Sequence, residues 1–217
     1  RCRTGWRGCC SLSSCTARGP CRPATPTIAN KPLHLASSSP RRREILDGLG
    51  LIFTVGGADV DERPLEGEAA TDMVLRLAGD KARAGAPADR ATVIGADTAV
   101  VLGEEIFGKP AGEADALDML ARLSGHTHQV MTGVAVWDGR EMRSAISCTD
   151  VKFREIRPDE ALAYWQSGEP ADKAGAYAIQ GLGGVFVEAI SGSYSGVVGL
   201  PVYETMALLR EAGISVL

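Results

Sequence analysis

The chain has 217 residues, of which 45% are hydrophobic and 23% are charged, and its formal net charge is −4. This composition excludes a disordered or fibrous protein and is typical of a globular one. No stretch holds the roughly 18 uncharged apolar residues that a membrane-spanning helix needs, so a spanning segment is excluded as well.

The first 30 residues differ from the rest of the chain. They contain five arginines, five of the six cysteines and no acidic residue. We expect residues 1–30 to be a disordered leader or a misassigned start, and residues 31–217 to form a single domain. That body has 18 basic and 27 acidic residues, a net charge of −9. It therefore disfavours general binding to nucleic acid, and an anionic ligand needs a local basic pocket or a metal. Cys148, the one cysteine of the body, fits a reducing cytoplasm.

The segment LASSSPRRREIL, residues 35–46, predicts a helix that follows a short strand. Ser39 suits the N-cap, Pro40 suits the first helical position, and Gly50 ends the helix. The first turn then carries three arginines, although the helix dipole already makes this end positive. A phosphate chain lying over the turn from Ser37 to Ser39 would remove the conflict. The alternative is a solvated basic turn.

Helices and strands alternate along the rest of the body, which predicts an α/β layered fold. The predicted helices are one with the apolar stripe Val74, Leu77, Ala78 and Lys81, capped by Thr71 or Asp72, then residues 113–123, one that begins at Pro158, and residues 203–212. The predicted strands are residues 91–103, 128–139 and 148–156, and a turn at Asp138 and Gly139 joins the last two as a hairpin.

Asp97 lies within a run of core-forming residues, where an unpaired carboxylate would cost several kcal/mol. It is either a strand-end residue that caps a turn or a metal ligand or base that aligns a water, with Thr98 on the opposite face of the strand. Lys81 lies on the buried stripe of its helix and either extends to the surface or points into a cleft. Glu62 is in an acidic loop that is either solvated or metal-binding, and Lys109 precedes a proline that constrains its backbone.

Residues 172–201 are rich in glycine and match neither a dinucleotide fingerprint nor a phosphate-binding loop. The segment either lets the backbone approach a ligand or forms a turn-rich set of hairpins. Gln180 within it has both a carbonyl and an amide group with which to bind a base edge. The chain has no Gly-x-Ser-x-Gly elbow, and we predict that His126 and His128, at a strand start, are surface residues.

Six segments of the body, taken together and in this order, resemble the Maf family of nucleoside triphosphate pyrophosphatases. They are LASSSPRRREIL, DVDERP, GADTAVV, GKP, LSGHTHQVMTGVAV and DKAGAYAIQGLGGVFVEAISGSYSGVVGLP, and they cover nearly all of residues 33–217. The resemblance implies an elongated α/β fold of the Maf or ITPase-like type, with a mixed twisted sheet flanked by helices and a deep cleft. It also implies a cytoplasmic homodimer that needs a divalent cation, Mg²⁺ or Mn²⁺, and splits a nucleoside triphosphate into monophosphate and pyrophosphate.

The resemblance also assigns roles to residues by their positions in the motifs. Asp97 matches the catalytic acidic residue, and three positions match those associated with substrate choice, namely Arg41, Thr98 and Gln180. The expected phosphate-binding residues are Ser37, Ser39, Arg42, Lys81 and Lys109, and the expected metal ligands are Glu62 and Asp97. The chain resembles the branch that acts on dTTP and UTP, clearing unwanted nucleotides. Alternatives are the 7-methyl-GTP branch and a non-catalytic nucleotide-binding regulator of cell division. No nucleic-acid or membrane partner is expected.

Overall fold

The structure, a computed structural model, describes residues 32–87 and 91–215. The predicted leader, residues 1–30, lies outside these ranges. None of the helices in the described ranges has the length and apolar character needed to cross a bilayer.

The described residues form seven strands and six α-helices. The strands are β1 (Leu33–Ala36), β2 (Thr54–Gly56), β3 (Thr92–Leu102), β4 (Glu105–Phe107), β5 (Thr127–Trp137), β6 (Met142–Phe153) and β7 (Val187–Ser191). The helices are α1 (Pro40–Gly48), α2 (Ala70–Ala84), α3 (Glu113–Leu123), α4 (Pro158–Gln166), α5 (Tyr194–Val198) and α6 (Val202–Glu211). Short 3-10 turns fill much of the glycine-rich segment between α4 and β7.

All seven strands belong to one sheet in the order β2-β1-β3-β5-β6-β7, with β4 paired to β3. The β1 strand runs parallel to β2 and β3, whereas the other neighbours are antiparallel. The sheet is therefore mixed, and helices cover both of its faces. This confirms the predicted α/β layered fold, including the β5–β6 hairpin.

One side of β3 has a gap between its two short partner strands. The β1 strand pairs with β3 only as far as Ile94, and β4 pairs with it only from Val100 onward. Asp97 and Thr98 lie between these points, in the part of β3 that pairs with β5 alone among the described strands. The gap thus leaves one edge of a central strand open to a cavity.

Helix α2 packs directly on the backbone of β3 and β5 because both strands have a glycine beneath it. A Cβ atom on Gly95 would lie 2.2 Å from the carbonyl oxygen of Ala78, and one on Gly133 would lie 2.4 Å from that of Val74. The stripe of α2 is buried as predicted, but the helix begins at Ala70, before the predicted caps Thr71 and Asp72.

Several boundaries follow tertiary pairing rather than local pattern. The 113–123 helix and the start of α4 at Pro158 are confirmed. In contrast, β6 begins at Met142, six residues before the predicted start, because its polar first half pairs with β5 across the hairpin. Ser39 occupies the N-cap of α1 as predicted, but its side chain makes no capping hydrogen bond.

The prediction that His128 lies at the surface is wrong. The side chain is buried, and its Nε2 atom lies 2.8 Å from the hydroxyl of Tyr177. Its ring packs edge-on against the rings of Phe153 and Tyr177. The alternation of β5 places His128 on an inward-facing position, whereas His126 precedes the strand and is exposed.

The surroundings of Gly133, beneath α2, and of Gly79, within α2, predict opposite effects of a Gly→Ala substitution on stability. Gly133→Ala is expected to lower the free energy of unfolding by about 1–3 kcal/mol, because the new methyl group would overlap the α2 backbone. Gly79→Ala, within α2 and with no atom near its Cβ position, is expected to raise it by about 0.5–1 kcal/mol. Urea unfolding of both variants checks this, and equal effects would contradict the close-packing account.

The buried His128 predicts a specific acid sensitivity. Burial lowers the pKa of His128 to about 4, whereas an unfolded histidine titrates near about 6.5. The unfolded state therefore takes up a proton that the folded state does not, and stability falls as the pH drops from about 6.5 towards 4, by up to about 1.4 kcal/mol per pH unit. His128→Gln, which keeps a partner for Tyr177, is expected to flatten urea-unfolding stability between pH 6.5 and 5; an unchanged slope would contradict this.

Candidate active site

A cavity of about 620 Å³ opens at the gap in the sheet. Its volume lies in the range of small-molecule sites, about 300–1,000 Å³. All ten of the predicted site residues line it, namely Ser37, Ser39, Arg41, Arg42, Glu62, Lys81, Asp97, Thr98, Lys109 and Gln180. The fold therefore brings residues that are up to 143 positions apart in the sequence to the same cavity.

The cavity is basic although the body of the chain is acidic. Its charged lining residues are the bases Arg41, Arg42, Lys81, Lys109 and Lys173 and the acids Glu62, Asp97 and Asp172. This excess of two positive charges meets the predicted need for a local basic pocket. A concave basic site attracts anions even on an acidic protein, because low-dielectric walls focus the field.

At the centre of the gap, Lys81 bridges two carboxylates. Its Nζ atom lies 2.7 Å from Asp97 Oδ1 and 2.5 Å from Glu62 Oε1. Lys81 is therefore directed into the cavity rather than towards the surface, and Asp97 lies within a strand rather than capping a turn. The hydrogen bond from Lys81 holds the pKa of Glu62 below the usual glutamate value. Lys109, at the rim, lies 3.8 Å from the other oxygen of Glu62.

The serine turn before α1 is tied to β3 through Arg42. The Oγ atom of Ser37 accepts hydrogen bonds from the Ser39 amide, at 3.2 Å, and from Arg42 Nη1, at 3.3 Å. Arg42 also donates to the carbonyl of Gly199 and to Thr98 Oγ1, at 2.7 and 3.2 Å. Burial lowers the pKa of Arg42 from the usual arginine value, and the charge of Asp97 opposes that shift. The first turn of α1, which has no acidic residue, thus opens onto the cavity with a fixed guanidinium beside it.

Thr98 lies on the opposite face of β3 from Asp97 and joins a directed chain of hydrogen bonds. Thr132 donates its hydroxyl proton to the carbonyl of Gly196, at 2.8 Å, so its oxygen accepts from Thr98 at 3.0 Å. Thr98 therefore donates to Thr132 and accepts from Arg42. These hydrogen bonds fix the Thr98 hydroxyl and link β3 to α5, to which Gly196 belongs.

The three arginines of α1 have different surroundings. Arg41 faces the cavity and lies 3.9 Å from Asp172, whereas Arg43 is solvent-exposed and pairs with Asp47 one turn later. Two of the three arginines therefore face the cavity, and only Arg43 has the solvated position that the alternative interpretation expected for all three. Asp172 also forms an ion pair with Lys173. Asp172 and Lys173 were not among the predicted site residues, although they begin the last of the six segments.

Gln180 is exposed at the mouth of the cavity. It lies in a turn closed by a hydrogen bond from the Gly181 amide to the Ala178 carbonyl, at 3.3 Å. Ala178, Ile179 and Gln180 all line the cavity. Part of the glycine-rich segment therefore lines the cavity, and its remainder forms 3-10 turns, β7 and α5 rather than a set of hairpins.

The carboxylates do not form a self-sufficient metal site. Within residues 32–87 and 91–215, no group of three or more His, Cys, Asp and Glu side chains is placed to hold a metal ion. Glu62 and Asp97 nevertheless converge on one point, the Nζ atom of Lys81. Two carboxylates supplemented by substrate oxygens are the donor set that Mg²⁺ commonly uses.

Comparison with known proteins decides the family. The family profile described as "Maf-like protein" matches residues 32–212. The chain belongs to the Maf family. The "dTTP/UTP pyrophosphatase" of Methylococcus capsulatus is 54% identical to it over 185 residues, covering 84% of this chain and 91% of that protein. The protein of the same name from Hahella chejuensis is 52% identical over 188 residues, covering 85% and 94%.

The Maf chain also has a weaker likeness among solved structures. The Staphylococcus aureus Ham1 protein is 20% identical, with a TM-score of 0.42, over 57% of this chain and 72% of that one. The resemblance to the Maf family that six sequence segments indicated is confirmed by the family profile and the relatives.

In this Maf protein, Lys81→Met is expected to lower the free energy of unfolding at pH 7.5 by about 1–3 kcal/mol, because it leaves two carboxylates facing each other. Glu62 loses the hydrogen bond that lowers its pKa and so takes up a proton more readily, which means that this loss should shrink as the pH falls towards 4.5. Urea unfolding at both pH values checks this. Lys152→Met, which removes an exposed lysine paired with Glu188, serves as the control and should have little effect.

Proposed function

We propose that this protein is a nucleoside triphosphate pyrophosphatase that hydrolyses dTTP and UTP to the monophosphate and pyrophosphate. Membership of the Maf family and the names of relatives that are about half identical support this activity. The observation that carries the proposal is the pairing of Asp97 with Lys81 inside a basic cavity large enough for a nucleotide. A carboxylate and several fixed cations are the groups that phosphoanhydride hydrolysis requires.

Phosphate binding falls to the turn before α1 and the basic side chains around it. The amides at the start of α1 and the hydroxyls of Ser37 and Ser39 supply hydrogen-bond donors, and Arg42 supplies a guanidinium already oriented by three protein contacts. Lys81 and Lys109 add positive charge on the Asp97 side of the cavity. Together these groups offset the negative charge of a triphosphate.

Asp97 acts as the base. Lys81 occupies its Oδ1 atom, so Oδ2 is the oxygen that aligns a water and accepts its proton as the water attacks the α-phosphorus. The bond from the α-phosphorus to the bridging oxygen breaks, and pyrophosphate leaves with that oxygen. The nearby basic side chains stabilise the charge that grows on the leaving oxygen.

Glu62 and Asp97 would hold the divalent cation, Mg²⁺ or Mn²⁺, together with phosphate oxygens. When bound, such a cation polarises the phosphoryl oxygens and neutralises their charge.

Base selection involves Gln180, Thr98 and Arg41. The carbonyl and amide of Gln180 complement the N3 hydrogen and O4 carbonyl that thymine and uracil share, and cytosine presents the reverse pattern. Thr98 is held by Arg42, and Arg41 lies beside Asp172 next to the Gln180 turn. We further propose a cytoplasmic homodimer that clears unwanted nucleotides and has neither nucleic acid nor membrane as a partner.

The activity is tested by pyrophosphate release from the full chain with Mg²⁺ or Mn²⁺, comparing dTTP, UTP, CTP and 7-methyl-GTP. We expect turnover of dTTP and UTP, and a fall of about a hundredfold or more in Asp97→Asn, which keeps the shape of the side chain but cannot act as the base. Asp118→Asn, at an exposed position on α3, is the control and should retain full activity.

Each other outcome points to a different conclusion. Turnover of 7-methyl-GTP alone would place the chain in another specificity branch. Nucleotide binding without pyrophosphate release would favour a regulator of cell division. Full activity in Asp97→Asn would remove Asp97 from the reaction.

A further inference from the structure

The glycines that follow Gln180 lie against protein groups, not against the cavity. A Cβ atom on Gly181 would lie 2.1 Å from Glu169 Oε2, and one on Gly183 would lie 2.5 Å from the hydroxyl oxygen of Tyr164. Real Cβ atoms do not approach other atoms so closely. These two glycines are therefore needed so that the side chains of Tyr164 and Glu169 can reach the backbone of the loop.

The Glu169 carboxylate accepts three hydrogen bonds. Its Oε1 atom accepts from the Tyr164 hydroxyl at 2.7 Å and from the Gly183 amide at 3.0 Å, and its Oε2 atom accepts from the Leu182 amide at 2.9 Å. Leu182 and Gly183 begin a 3-10 helix, Leu182–Phe186, whose first amides have no partner within that helix. Glu169 thus satisfies the donors just after the Gln180 turn.

Tyr164 holds the other end of the same turn. Its hydroxyl donates to Glu169 and accepts from the Ala178 amide at 3.0 Å, so its proton and one lone pair are both in use. Burial and the bond to Glu169 raise the pKa of Tyr164, which keeps the phenol protonated. Burial opposes ionisation of Glu169, but the bonds from Gly183, Tyr164 and Leu182 outweigh it and lower the pKa of Glu169. The direction of each bond is therefore fixed.

Between these two anchors lies the turn from Ala178 to Gly181, which carries Gln180. Within the described ranges, the side chain of Gln180 makes no hydrogen bond with a neighbouring group. No neighbouring side chain therefore fixes where this amide lies, and its distance from a bound base is set by the backbone of the turn. A firmly held turn keeps the amide within hydrogen-bond reach of the N3 hydrogen and the O4 carbonyl of uracil, whereas a loose turn weakens that preference.

We propose that Tyr164 and Glu169 are positioning residues that clamp both ends of the Gln180 turn and so set discrimination between uracil and cytosine nucleotides. This role rests on the proposed pyrophosphatase function. Both side chains act through the turn, with Tyr164 on the buried face of α4 and Glu169 in the 3-10 turn that follows it. The phosphate-binding residues are on other elements and are not part of the clamp.

Kinetics of Tyr164→Phe and Glu169→Gln test the clamp, since both substitutions keep the size of the side chain. We expect the ratio of kcat/KM for UTP to that for CTP to fall about tenfold, mainly through a higher KM for UTP. The inhibition constant of inorganic tripolyphosphate, which has no base, should stay within about twofold. Glu160→Gln is the matched control. Glu160 also accepts a hydrogen bond from a backbone amide, that of Arg157, and lies on α4 with Tyr164, but it pairs with Arg154 and does not contact the Gln180 turn.

A double-mutant cycle with Gln180→Ala separates positioning from general stability. If Glu169 acts through Gln180, then Glu169→Gln should change the UTP to CTP ratio little once Gln180 is absent. Additive effects, an unchanged ratio in the single variants, or an equal loss in Glu160→Gln would overturn the proposal.

Amide hydrogen exchange on the same variants, measured without nucleotide, tests the clamp independently of activity. We expect exchange in residues 178–184 to accelerate about tenfold or more, with the exchange of β3 and β5 unchanged. Unchanged exchange in residues 178–184 would overturn the clamp. If the unmodified protein released no pyrophosphate but these variants accelerated exchange, the proposed function would fail and the clamp itself would stand.

Discussion

The position of helix α2 against the sheet determines the rest of the site. Gly95 and Gly133 let the helix backbone approach the strands to a distance that no side chain would allow. At that distance Lys81, on the buried stripe of α2, reaches Asp97 on β3. A helix one side-chain layer farther out would leave the carboxylate without its cation, at a cost of several kcal/mol. Two residues without side chains thus make the buried ion pair possible.

The strands β1 and β4 are too short to cover the middle of β3, and this leaves room for the cavity. Because they end on either side of residues 95–99, the middle of β3 has an edge towards the cavity. Strand alternation then directs Asp97 to the face under α2 and Thr98 to the face of α1 and α5. Arg42 crosses from α1 to Thr98, so the two faces meet at the same cavity. One strand in this way presents two consecutive side chains, Asp97 and Thr98, to the same cavity from opposite faces.

Sequence reasoning succeeded where a residue conflicted with its local pattern. Asp97 in an apolar run and Lys81 on an apolar stripe both require a partner, and the structure pairs them with each other. It failed where the local pattern looked ordinary. His128 has the polarity of a surface residue, and nothing in the local sequence indicates that Tyr164 and Glu169 bind the turn around Gln180, so only the folded chain shows these contacts. The glycines after Gln180 gave a signal of close approach, but the sequence does not say whether a ligand or a side chain approaches.

The charges of the cavity are organised by pairing. Glu62 holds Lys81 and Lys109, Asp97 also holds Lys81, and Asp172 holds Arg41 and Lys173. Each acid removes part of the positive field, so the cavity is less basic than its five cations would make it. The same ion pairs already order these long side chains in the free protein. Ordering each of them only on binding an anion would cost about 0.5–1.5 kcal/mol of binding free energy. Because two more cations than acids remain, the cavity keeps its attraction for a triphosphate while its side chains stay ordered for the reaction.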